Sequence, residues 1–597
     1  MIAVHVTHEA VEKMGGIGAV IAGLATSRPY QQAFGRTVLV GPLFQTDYPA
    51  SERLGPGGKI LYSSLDNIDQ DDWASRFQPI ERTYQVGIIY GVRQLVDGQH
   101  QQPVDVEVLL VDVFRCNPDR LNLFKGELYQ RFGIPSARFE HIWEYEQYVR
   151  LAEPAYEAMH VIGCTGTPAD PVVIFAHEYL GMPTALKAVL GGRTDVRTVF
   201  YAHEVASARR VTENLPGHDL MFYNVLAAGE VAGKSLEDYF PQVQDFFKHP
   251  LVKAAHYLDA VFAVGELVGR EMHFLDSSWP DQPIEIVYNG LPVGRQSLQQ
   301  RQAHRRRMQQ YAANLLGFEP DYVFAHVARP VLSKAIWRDL GVLHELEGLL
   351  EEQGRTAVYF MLGTLAGQRR TRDILHMERV YGWPVHHQLS YPDMCNGEEV
   401  VGAACEQFNQ NHKRVQAVLV NQFGWEQRIC GQRMPADMSF ADIRQGTDVE
   451  FGLSVYEPFG ISQLEPLCFG AICAVSNVCG CLGLARRRLG AQRNFNLLEA
   501  DYTQLPEPMQ PWQMVGISQH FRDRIEQVEN RRLARELALR LPKTQTDLAD
   551  LLVSGYALGR QLDWEQVVKE FFLPAVARAC GQQSPAQLGG SLTQAAG

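Results

Sequence analysis

The sequence predicts an α/β protein that contains two doubly wound domains with parallel sheets. Its 597 residues exceed the roughly 100–200 residues of one ordinary domain. Short runs of β-branched and other apolar residues recur along the chain, and helix-length segments separate many of them. These runs are continuously apolar rather than alternating, which indicates strands that are covered on both faces, as in the parallel sheets of α/β proteins.

Twelve apolar runs predict the individual strands. The first domain, which we place at residues 1–300, holds the runs 2–7, 37–41, 106–113, 172–176, 196–202, 260–264 and 284–288. The second domain, at residues 301–540, holds the runs 322–328, 356–362, 415–420, 449–454 and 472–475. Because ligands of open α/β sheets bind outside the carboxyl ends of the strands, we expect functional residues directly after these runs.

Four segments lie outside this strand pattern. Residues 541–580 have a helical pattern, and the Gly-, Gln-, Ser- and Ala-rich tail at 581–597 is expected to be disordered. Residues 364–414 show weak strand signals and are interpreted as a helix–loop insert. The basic stretch 297–310 could be a nucleic-acid patch, but we expect a solvated helix between the domains, because the net charge of the chain is −13.

The charge balance and the distribution of apolar residues argue against some classes of function. The 68 acidic residues outnumber the 55 lysines and arginines, which argues against non-specific binding of nucleic acid. The first residues lack the basic start and apolar run of a secretory signal, and no segment is apolar enough for a transmembrane helix. We therefore expect a cytoplasmic protein without membrane or nucleic-acid partners.

The first predicted strand is followed by a turn that combines a lysine with two glycines, Lys13, Gly15 and Gly16. The two glycines let the backbone approach a ligand closely, and a helix after them would present free N–H groups to an anion. Lys13 adds a positive charge. Alone, this turn fits a plain helix entry equally well.

The second domain opens with a predicted strand that is followed by two cations, Arg329 and Lys334. Arginine supplies donors in a fixed geometry and lysine a mobile charge, which together suit a diphosphate. The alternative is a surface arginine and a lysine whose charged end reaches solvent.

The strongest motif is Ser-Val-Tyr-Glu-Pro-Phe-Gly-Ile-Ser-Gln-Leu-Glu at residues 454–465. A predicted strand precedes it, and its proline and Gly460 fit a tight turn into a helix. Glu457 then lies in the turn and Glu465 about one turn into the helix. The helix N-terminus can receive an anion, while the two carboxylates can bind neighbouring hydroxyl groups. The alternative is that both glutamates are solvent-exposed acids.

A second glycine-bearing loop follows the next strand. Gly480 lies in the segment 476–483 and could offer backbone N–H groups to a phosphate. Four of the ten cysteines lie between residues 468 and 481, without a Cys-x-x-Cys pair. We interpret them as buried reduced thiols rather than a metal or redox site.

The motifs Lys13-x-Gly15-Gly16, Arg329-x4-Lys334 and Glu457-x7-Glu465 together resemble those of the retaining GT-B glycosyltransferases, most closely the glycogen and starch synthases. The resemblance spans most of the chain. It implies two Rossmann-like doubly wound domains facing a central cleft. The first would be the acceptor-side domain and the second would bind the nucleotide sugar, with the helices of 541–580 crossing back to the first.

In the second domain, the resemblance implies a role for each residue. Arg329 and Lys334 would neutralise the departing diphosphate. Glu457 would hold hydroxyl groups of the donor sugar beside the anomeric carbon, and Glu465 would hold the nucleotide ribose. The chain departs from the family at Ala335, where the family usually has glycine.

In the first domain, the resemblance implies that Lys13, Gly15 and Gly16 contact the donor diphosphate and sugar. His203, in Phe-Tyr-Ala-His-Glu, is similar to the family histidine near the transferred sugar. His177, in Phe-Ala-His-Glu-Tyr-Leu at the end of the preceding strand, is similar to the His-(Asp/Glu)-Trp type and would bind the donor. A structural role remains the alternative for both histidines.

The implied reaction transfers glucose from ADP- or UDP-glucose to the non-reducing end of an α-1,4-glucan, with retention at the anomeric carbon. The partners would be the nucleotide sugar and the glucan, and a homo-oligomer is left open. No cofactor or metal is expected, because cations and helix dipoles can serve the diphosphate. The alternatives are a sibling transferase of sucrose, trehalose or mannosyl type, and a non-catalytic protein that binds sugar nucleotides or glucans.

Overall fold

The computed structural model describes residues 1–11, 15–44, 48–96, 103–276, 279 and 283–581. The chain divides into two units. Unit 1 comprises Met1–Arg209, Gly229–Pro292 and Trp564–Gly597, and unit 2 comprises Arg210–Ala228 and Val293–Asp563. The predicted division at residue 300 differs from this one by a few residues at the main boundary, and by the segments 210–228 and 541–563, which belong to unit 2. The predicted disordered tail lies, from residue 582 on, outside the described residues.

Unit 1 contains a ten-stranded sheet. Its strands are β1 (Ile2–Val6), β2 (Arg36–Pro42), β3 (Lys59–Ser63), β4 (Ile68–Asp69), β5 (Gly87–Leu95), β6 (Val104–Asp112), β7 (Val172–His177), β8 (Val196–Ala202), β9 (Ala260–Ala263) and β10 (Ile284–Ile286). They lie in the order β10-β9-β8-β7-β1-β2-β6-β5-β3-β4. The strands from β10 to β6 are parallel. All seven runs predicted for the first domain form this parallel part, which confirms them.

The strands β3, β4 and β5 form an antiparallel edge that the sequence did not predict. Glycines and polar residues interrupt the apolar pattern of β5, so it does not look like a covered strand. Gly91 is required here, because a Cβ atom at this position would lie 2.3 Å from the carbonyl oxygen of Lys59 on β3.

Unit 2 contains a six-stranded sheet that is parallel throughout. Its strands are β11 (Tyr322–Val327), β12 (Ala357–Leu362), β13 (Val415–Val420), β14 (Val449–Gly452), β15 (Ile472–Ser476) and β16 (Leu497–Ala500). Their order is β13-β12-β11-β14-β15-β16. This is the doubly wound arrangement, and its strand order reverses between β11 and β14, the point where such sheets bind ligands. The five predicted strands are confirmed, whereas β16, with four residues and a glutamate, was missed.

Both faces of this sheet are covered. Tyr322 and Phe324 of β11 belong to one buried cluster, and Val323 and Ala325 belong to another on the opposite face. Successive side chains of a strand point to opposite faces, so a covered sheet requires apolar residues at every position. This explains the continuously apolar runs.

The helices lie between and around the strands. Those before residue 293 are α1 (Ile17–Thr26), α2 (Arg28–Ala33), α3 (Ala74–Tyr84), α4 (Pro118–Phe132), α5 (Trp143–Val161), α6 (Glu178–Gly191), α7 (Ala206–Asn214), α8 (His218–Ala232), α9 (Leu236–Tyr239), α10 (His249–Lys253) and α11 (Glu266–Phe274). Those of 293–563 are α12 (Leu298–Leu316), α13 (Ile336–Glu352), α14 (Thr371–Tyr381), α15 (Glu398–Asn411), α16 (Gln427–Cys430), α17 (Phe440–Gln445), α18 (Ile461–Leu464), α19 (Cys481–Leu489), α20 (Pro511–Val515), α21 (Gln519–Arg540) and α22 (Gln545–Gly559). Among the described helices, none is long and apolar enough to pass through a lipid bilayer.

The C-terminal helices α23 (Trp564–Val567) and α24 (Leu573–Ala579) belong to unit 1. Trp564 packs directly on two glycines of that unit. A Cβ atom at Gly23 would lie 2.1 Å from the Trp564 indole, and one at Gly290 would lie 2.6 Å from the Trp564 backbone. Because glycine has no side chain, Gly23 and Gly290 leave room for Trp564.

The basic helix α12 is not a solvated connector, which corrects the expectation for residues 297–310. Arg301 is fully buried, and its guanidinium pairs with Asp448 at 3.0 Å. Arg305 pairs with the same carboxylate at 2.9 Å, and Arg307 pairs with Asp442 at 2.7 Å. These three arginines therefore hold the helix on the rest of unit 2.

The insert at 364–414 consists of helices α14 and α15 with their loops, as predicted. The four cysteines between residues 468 and 481 are all buried, which confirms that part of their interpretation. Burial raises the pKa of Cys479 and Cys481 well above the ordinary thiol value. The described residues contain no cluster of three or more potential metal-ligating side chains.

Candidate active site in unit 2

Two residues predicted from separate motifs meet at the strand-order reversal of unit 2. Lys334 ends a short 3-10 turn after β11, and Glu457 lies in the turn after β14. The ammonium group of Lys334 forms an ion pair with Oε2 of Glu457. Their side chains keep 20% and 11% of their surface exposed, so both remain within reach of a ligand.

Backbone hydrogen bonds join the two turns. The carbonyl oxygen of Ser333 accepts the N–H groups of Val455 at 2.9 Å and of Tyr456 at 3.4 Å. The residues next to Lys334 and Glu457 are thereby tied together. The ion pair is therefore built on a fixed backbone frame rather than on two independent loops.

Gln463 is a second partner of Glu457. Its side-chain amide donates to Oε2 of Glu457 at 2.9 Å, and the hydroxyl of Ser462 donates to the Gln463 amide oxygen at 3.2 Å. Gly460 lets the chain turn so that Gln463 can reach back to Glu457, since it has a φ of +87°, a conformation that favours glycine. A Cβ atom on Gly460 would come within 2.8 Å of Glu457 Cγ.

The Gly480 loop supports the glutamate turn rather than offering its N–H groups to a ligand. The N–H of Gly480 donates to the carbonyl of Glu457 at 3.0 Å, and that of Cys481 donates to Phe459 at 2.8 Å. A Cβ atom at Gly480 would lie 1.8 Å from the Pro458 carbonyl oxygen. The expectation that Gly480 itself binds phosphate is corrected, because its N–H is already engaged.

The helix predicted after Gly460 is short. Helix α18 covers four residues, and a 3-10 segment begins at Glu465. Pro466 lacks the N–H that would bond to the carbonyl of Ser462 in a continuing helix. Arg444 donates to that carbonyl instead, at 2.5 Å. The helix dipole at this position is therefore smaller than the sequence suggested.

Glu465 is held by Arg444 as well. The guanidinium donates to Oε2 of Glu465 at 3.1 Å and to Oε2 of the buried Glu450 at 3.1 Å. The Glu465 side chain remains 24% exposed, which leaves it accessible to a polar ligand. Arg444 was not singled out from the sequence.

Further positive potential lies beside the ion pair. In the part of the chain that the structure describes, the backbone N–H groups of Gly460, Ile461 and Ser462 have no hydrogen-bond partner. Arg329, two residues after β11, is exposed, and its guanidinium forms no ion pair with a described acidic residue. These groups, together with Lys334, can bind an anion.

The glycine turn of unit 1 differs from its prediction. Gly15 and Gly16 precede helix α1, as expected, but the buried carboxylate of Glu9 accepts the N–H of Gly18 at 2.9 Å. A Cβ atom at Gly15 would lie 2.9 Å from this carboxylate. An acidic side chain of the protein thus engages one N–H group at the start of α1, so not all of the N–H groups expected there are free to bind an anion. Lys13 lies outside the described residues.

The two predicted histidines of unit 1 contact each other. Nδ1 of His177 lies 2.7 Å from Nε2 of His203, and a third histidine, His5, lies 2.8 Å from His177. Burial lowers the pKa of His203 to about 3. His5 was missed, although a histidine inside the apolar run 2–7 is a visible signal.

Glu178 is a further buried group at this strand end. It follows His177 with a φ of +59°, a backbone conformation that costs a non-glycine residue about 1–2 kcal/mol. Its carboxylate accepts the N–H of Glu204 at 2.6 Å. Burial, and then the neighbouring Glu204, raise the pKa of Glu178 well above its ordinary value.

Comparisons with known proteins identify the fold. No protein-family model and no curated protein sequence matches the chain. Among solved structures, the catalytic domain of starch synthase IV from Arabidopsis thaliana, bound to ADP and acarbose, is similar with a TM-score of 0.51 and 12% identity. The likeness covers 97% of this chain and 99% of that one. The chain has the GT-B fold.

Other solved structures of this type are more distant. The α,α-trehalose-phosphate synthase of Burkholderia vietnamiensis matches with a TM-score of 0.46 and 12% identity over 96% of this chain and 99% of that one. A trehalose-6-phosphate protein of E. coli, bound with UDP-2-fluoro glucose, matches with a TM-score of 0.48 and 10% identity over 96% and 99%. The likeness to the starch synthase IV domain, together with the two sheets, confirms the predicted two Rossmann-like domains of the GT-B fold. Because one fold hosts many reactions, the side chains at the strand ends must carry the functional argument.

Proposed function

We propose that the chain is a retaining glycosyltransferase that transfers a hexosyl group from a nucleoside diphosphate sugar. The specific reaction we propose moves glucose from ADP- or UDP-glucose to the non-reducing end of an α-1,4-glucan. The observation that carries the proposal is the ion pair of Lys334 and Glu457 at the strand-order reversal of unit 2. It sets a cation and a carboxylate side by side where doubly wound sheets bind ligands.

The cationic half of this arrangement suits a departing diphosphate. As the anomeric bond breaks, negative charge grows on the diphosphate oxygens. Lys334, Arg329 and the unengaged N–H groups of residues 460–462 can stabilise this charge. Preorganised donors of this kind contribute about 3–4 kcal/mol each to lowering a barrier.

The acidic half suits the sugar. Lys334 and Gln463 both bind Oε2 of Glu457, and no described residue bonds to Oε1. That second oxygen can accept hydrogen bonds from hydroxyl groups of the hexose. A charge-assisted bond of this type also orients the anomeric carbon toward its acceptor.

Glu465 and the histidines complete the proposal. Glu465, anchored by Arg444, would accept the hydroxyl groups of the nucleotide ribose. The contacts of His203 and His177 with the transferred sugar, which the family resemblance implies, stay predictions. The contact of Lys13 with the donor stays a prediction. The acceptor attacks on the same face as the leaving group, and the departing phosphate takes the acceptor proton, which gives an α-linked product.

The proposal is tested by transfer from radiolabelled ADP-glucose and UDP-glucose to glycogen, followed by linkage analysis of the product. We expect α-1,4-linked incorporation from one donor and loss of incorporation in Glu457→Ala. The matched control is Glu426→Ala, which removes an exposed carboxylate. Absence of incorporation from both donors would overturn the glucan synthase assignment, and a β-linked product would overturn retention.

A further inference from the structure

Three histidines of unit 1 form one hydrogen-bonded row across adjacent strands. His5 lies on β1, His177 ends β7 and His203 follows β8, and these strands are neighbours in the sheet. Nδ1 of His5 lies 2.8 Å from Nε2 of His177, and Nδ1 of His177 lies 2.7 Å from Nε2 of His203. Each contact joins the Nδ1 of one ring to the Nε2 of the next, so the row has a direction.

The two ends of the row differ. At the inner end, the hydroxyl of Tyr30 on α2 lies 2.8 Å from Nε2 of His5 and 3.2 Å from Oγ1 of Thr37. At the outer end, Nδ1 of the half-buried His203 has no hydrogen-bond partner among the described residues. The outer nitrogen is therefore available to a ligand.

The surroundings keep the three rings uncharged at neutral pH. The His5 ring stacks on Phe175 with 4.9 Å between ring centres, and no described carboxylate contacts a ring nitrogen of the row. Burial lowers the pKa of His5 and of His203 to about 3 and that of His177 well below its ordinary value; the other histidines, His8 included, lower the pKa values of His177 and His203 further.

A neutral imidazole has one donor nitrogen and one acceptor nitrogen, so the row has two complete arrangements. In the first, Tyr30 donates to His5 and every histidine carries its proton on Nδ1. In the second, every histidine carries its proton on Nε2, and Tyr30 donates to Thr37. The outer nitrogen of His203 is a donor in the first arrangement and an acceptor in the second.

Distances and acidity favour the first arrangement. A phenol O–H is a stronger hydrogen-bond donor than a neutral imidazole N–H. The imidazole nitrogen of His5 is also a stronger acceptor than the hydroxyl oxygen of Thr37. The Tyr30 hydroxyl is also 0.4 Å closer to His5 than to Thr37, as 3.2 Å minus 2.8 Å gives. Successive hydrogen bonds polarise one another, so the preference at Tyr30 is carried along the row.

We propose that Tyr30, His5 and His177 are positioning residues that fix His203 as the Nδ1–H tautomer, so that it presents a hydrogen-bond donor to an oxygen of the bound sugar. This rests on the proposed function in one respect, namely that His203 faces the sugar. It gives His203 the role of a neutral donor rather than of a base. The acceptor proton must then leave by another route, the departing phosphate.

The test compares Tyr30→Phe with the matched control Thr37→Val, in protein whose histidines are labelled with 15N. Two-bond proton–nitrogen spectra report the tautomer of each ring, with signals assigned by single His→Gln variants. We expect Nδ1–H at all three rings in the unsubstituted protein and in Thr37→Val. In Tyr30→Phe, His5 loses its donor, and we expect His203 to shift toward Nε2–H.

Turnover supplies the second readout. We expect kcat to fall about 5- to 10-fold in Tyr30→Phe, the effect of one misdirected hydrogen bond, with KM for the donor and the melting temperature nearly unchanged. Thr37→Val should retain kcat within about twofold, because in the first arrangement Thr37 need not accept the Tyr30 proton. A merely structural role of the row would change stability without changing the tautomer of His203.

The outcomes separate this proposal from the proposed function. Nε2–H at His203 in the unsubstituted protein, or Nδ1–H that survives Tyr30→Phe, would overturn the positioning role even if sugar transfer is observed. A shift caused by Thr37→Val instead would favour the second arrangement and also overturn it. The expected tautomers without transfer from any nucleotide sugar would support the row while overturning the proposed function.

Discussion

Lys334 and Glu457 form an ion pair although 122 residues lie between them along the chain. Neighbouring strands of the unit 2 sheet bring them together, because β11 and β14 end at the same edge. Both partners are also tied to one backbone carbonyl through the residues beside them. A ligand that binds Lys334 therefore meets a carboxylate whose position is already set.

Gln463 supports that carboxylate, and its removal should lower turnover. In Gln463→Leu, Oε2 of Glu457 loses a 2.9 Å hydrogen bond while its ion pair remains. We expect kcat to fall about 5- to 20-fold with little change in nucleotide affinity, as for the loss of one hydrogen bond to a charged group. Steady-state kinetics measure this, and the exposed Gln527→Leu is the control. An unchanged kcat in Gln463→Leu would show that Lys334 alone positions Glu457.

Ala335 should gain stability when it is replaced by glycine. It has a φ of +48° directly after Lys334, a conformation that costs a residue with a Cβ atom about 1–2 kcal/mol. Part of this gain is lost because glycine is more flexible in the unfolded chain, so we expect a net stabilisation of about 0.5–1 kcal/mol. Urea unfolding measures it.

The matched control for Ala335→Gly is Ala538→Gly, inside the regular helix α21. There the same exchange should destabilise the protein by about 1 kcal/mol, because glycine is a poor helix former. Equal destabilisation by both exchanges would contradict the argument from backbone conformation.

The parallel strands could be predicted because burial on both faces forces continuous apolar runs. The antiparallel strands β3 to β5 could not be predicted in this way. Gly91 interrupts the apolar pattern of β5 because it packs against the backbone of Lys59, which is distant along the chain. The short strand β16 has too few residues to show a pattern.

The candidate site was predictable only in part. Lys334 and Glu457 lie in the turns that follow β11 and β14, so the rule that ligands bind beyond the carboxyl ends of strands finds them. Arg444 and His5 act through partners on other elements, and sequence order does not reveal those partners. Pro466 is a visible signal in the sequence that the helix after Gly460 is short. The acceptor of the Gly480 N–H, the carbonyl of Glu457, is known only once the position of the turn after β14 is known.

Glu178 should make stability fall as pH rises. Its pKa in the folded protein lies well above the ordinary value because of burial and the nearby Glu204. Between the unfolded and the folded pKa, the folded state holds a proton that the unfolded state has released, so raising pH through this window favours unfolding. Glu178→Gln removes the effect, while its amide oxygen can still accept the N–H of Glu204.

Melting temperatures of the unsubstituted protein and of Glu178→Gln, measured from pH 5 to pH 8, test this directly. The free energy of unfolding of the variant, relative to that of the unsubstituted protein, should rise with pH by at most about 1.4 kcal/mol per pH unit. The melting temperature of the variant should rise accordingly relative to that of the unsubstituted protein. The matched control is Glu352→Gln, at an exposed glutamate without an ion pair among the described residues. A difference that stays constant with pH for Glu178→Gln would mean that its carboxylate is ionised in the folded protein throughout this range.

Under the proposed function, Lys334 and Glu457 form the diphosphate and sugar halves of one donor site. The most direct test is the affinity for ADP and UDP, measured by titration calorimetry on Lys334→Ala, Glu457→Ala and the exposed control Lys543→Ala. We predict that Lys334→Ala weakens binding of the preferred nucleotide by about tenfold or more, the loss of one charge-assisted contact. Glu457→Ala and Lys543→Ala should leave this affinity within about threefold of the unsubstituted value. Nucleotide binding that is unchanged in Lys334→Ala would contradict the assignment of Lys334 to the diphosphate.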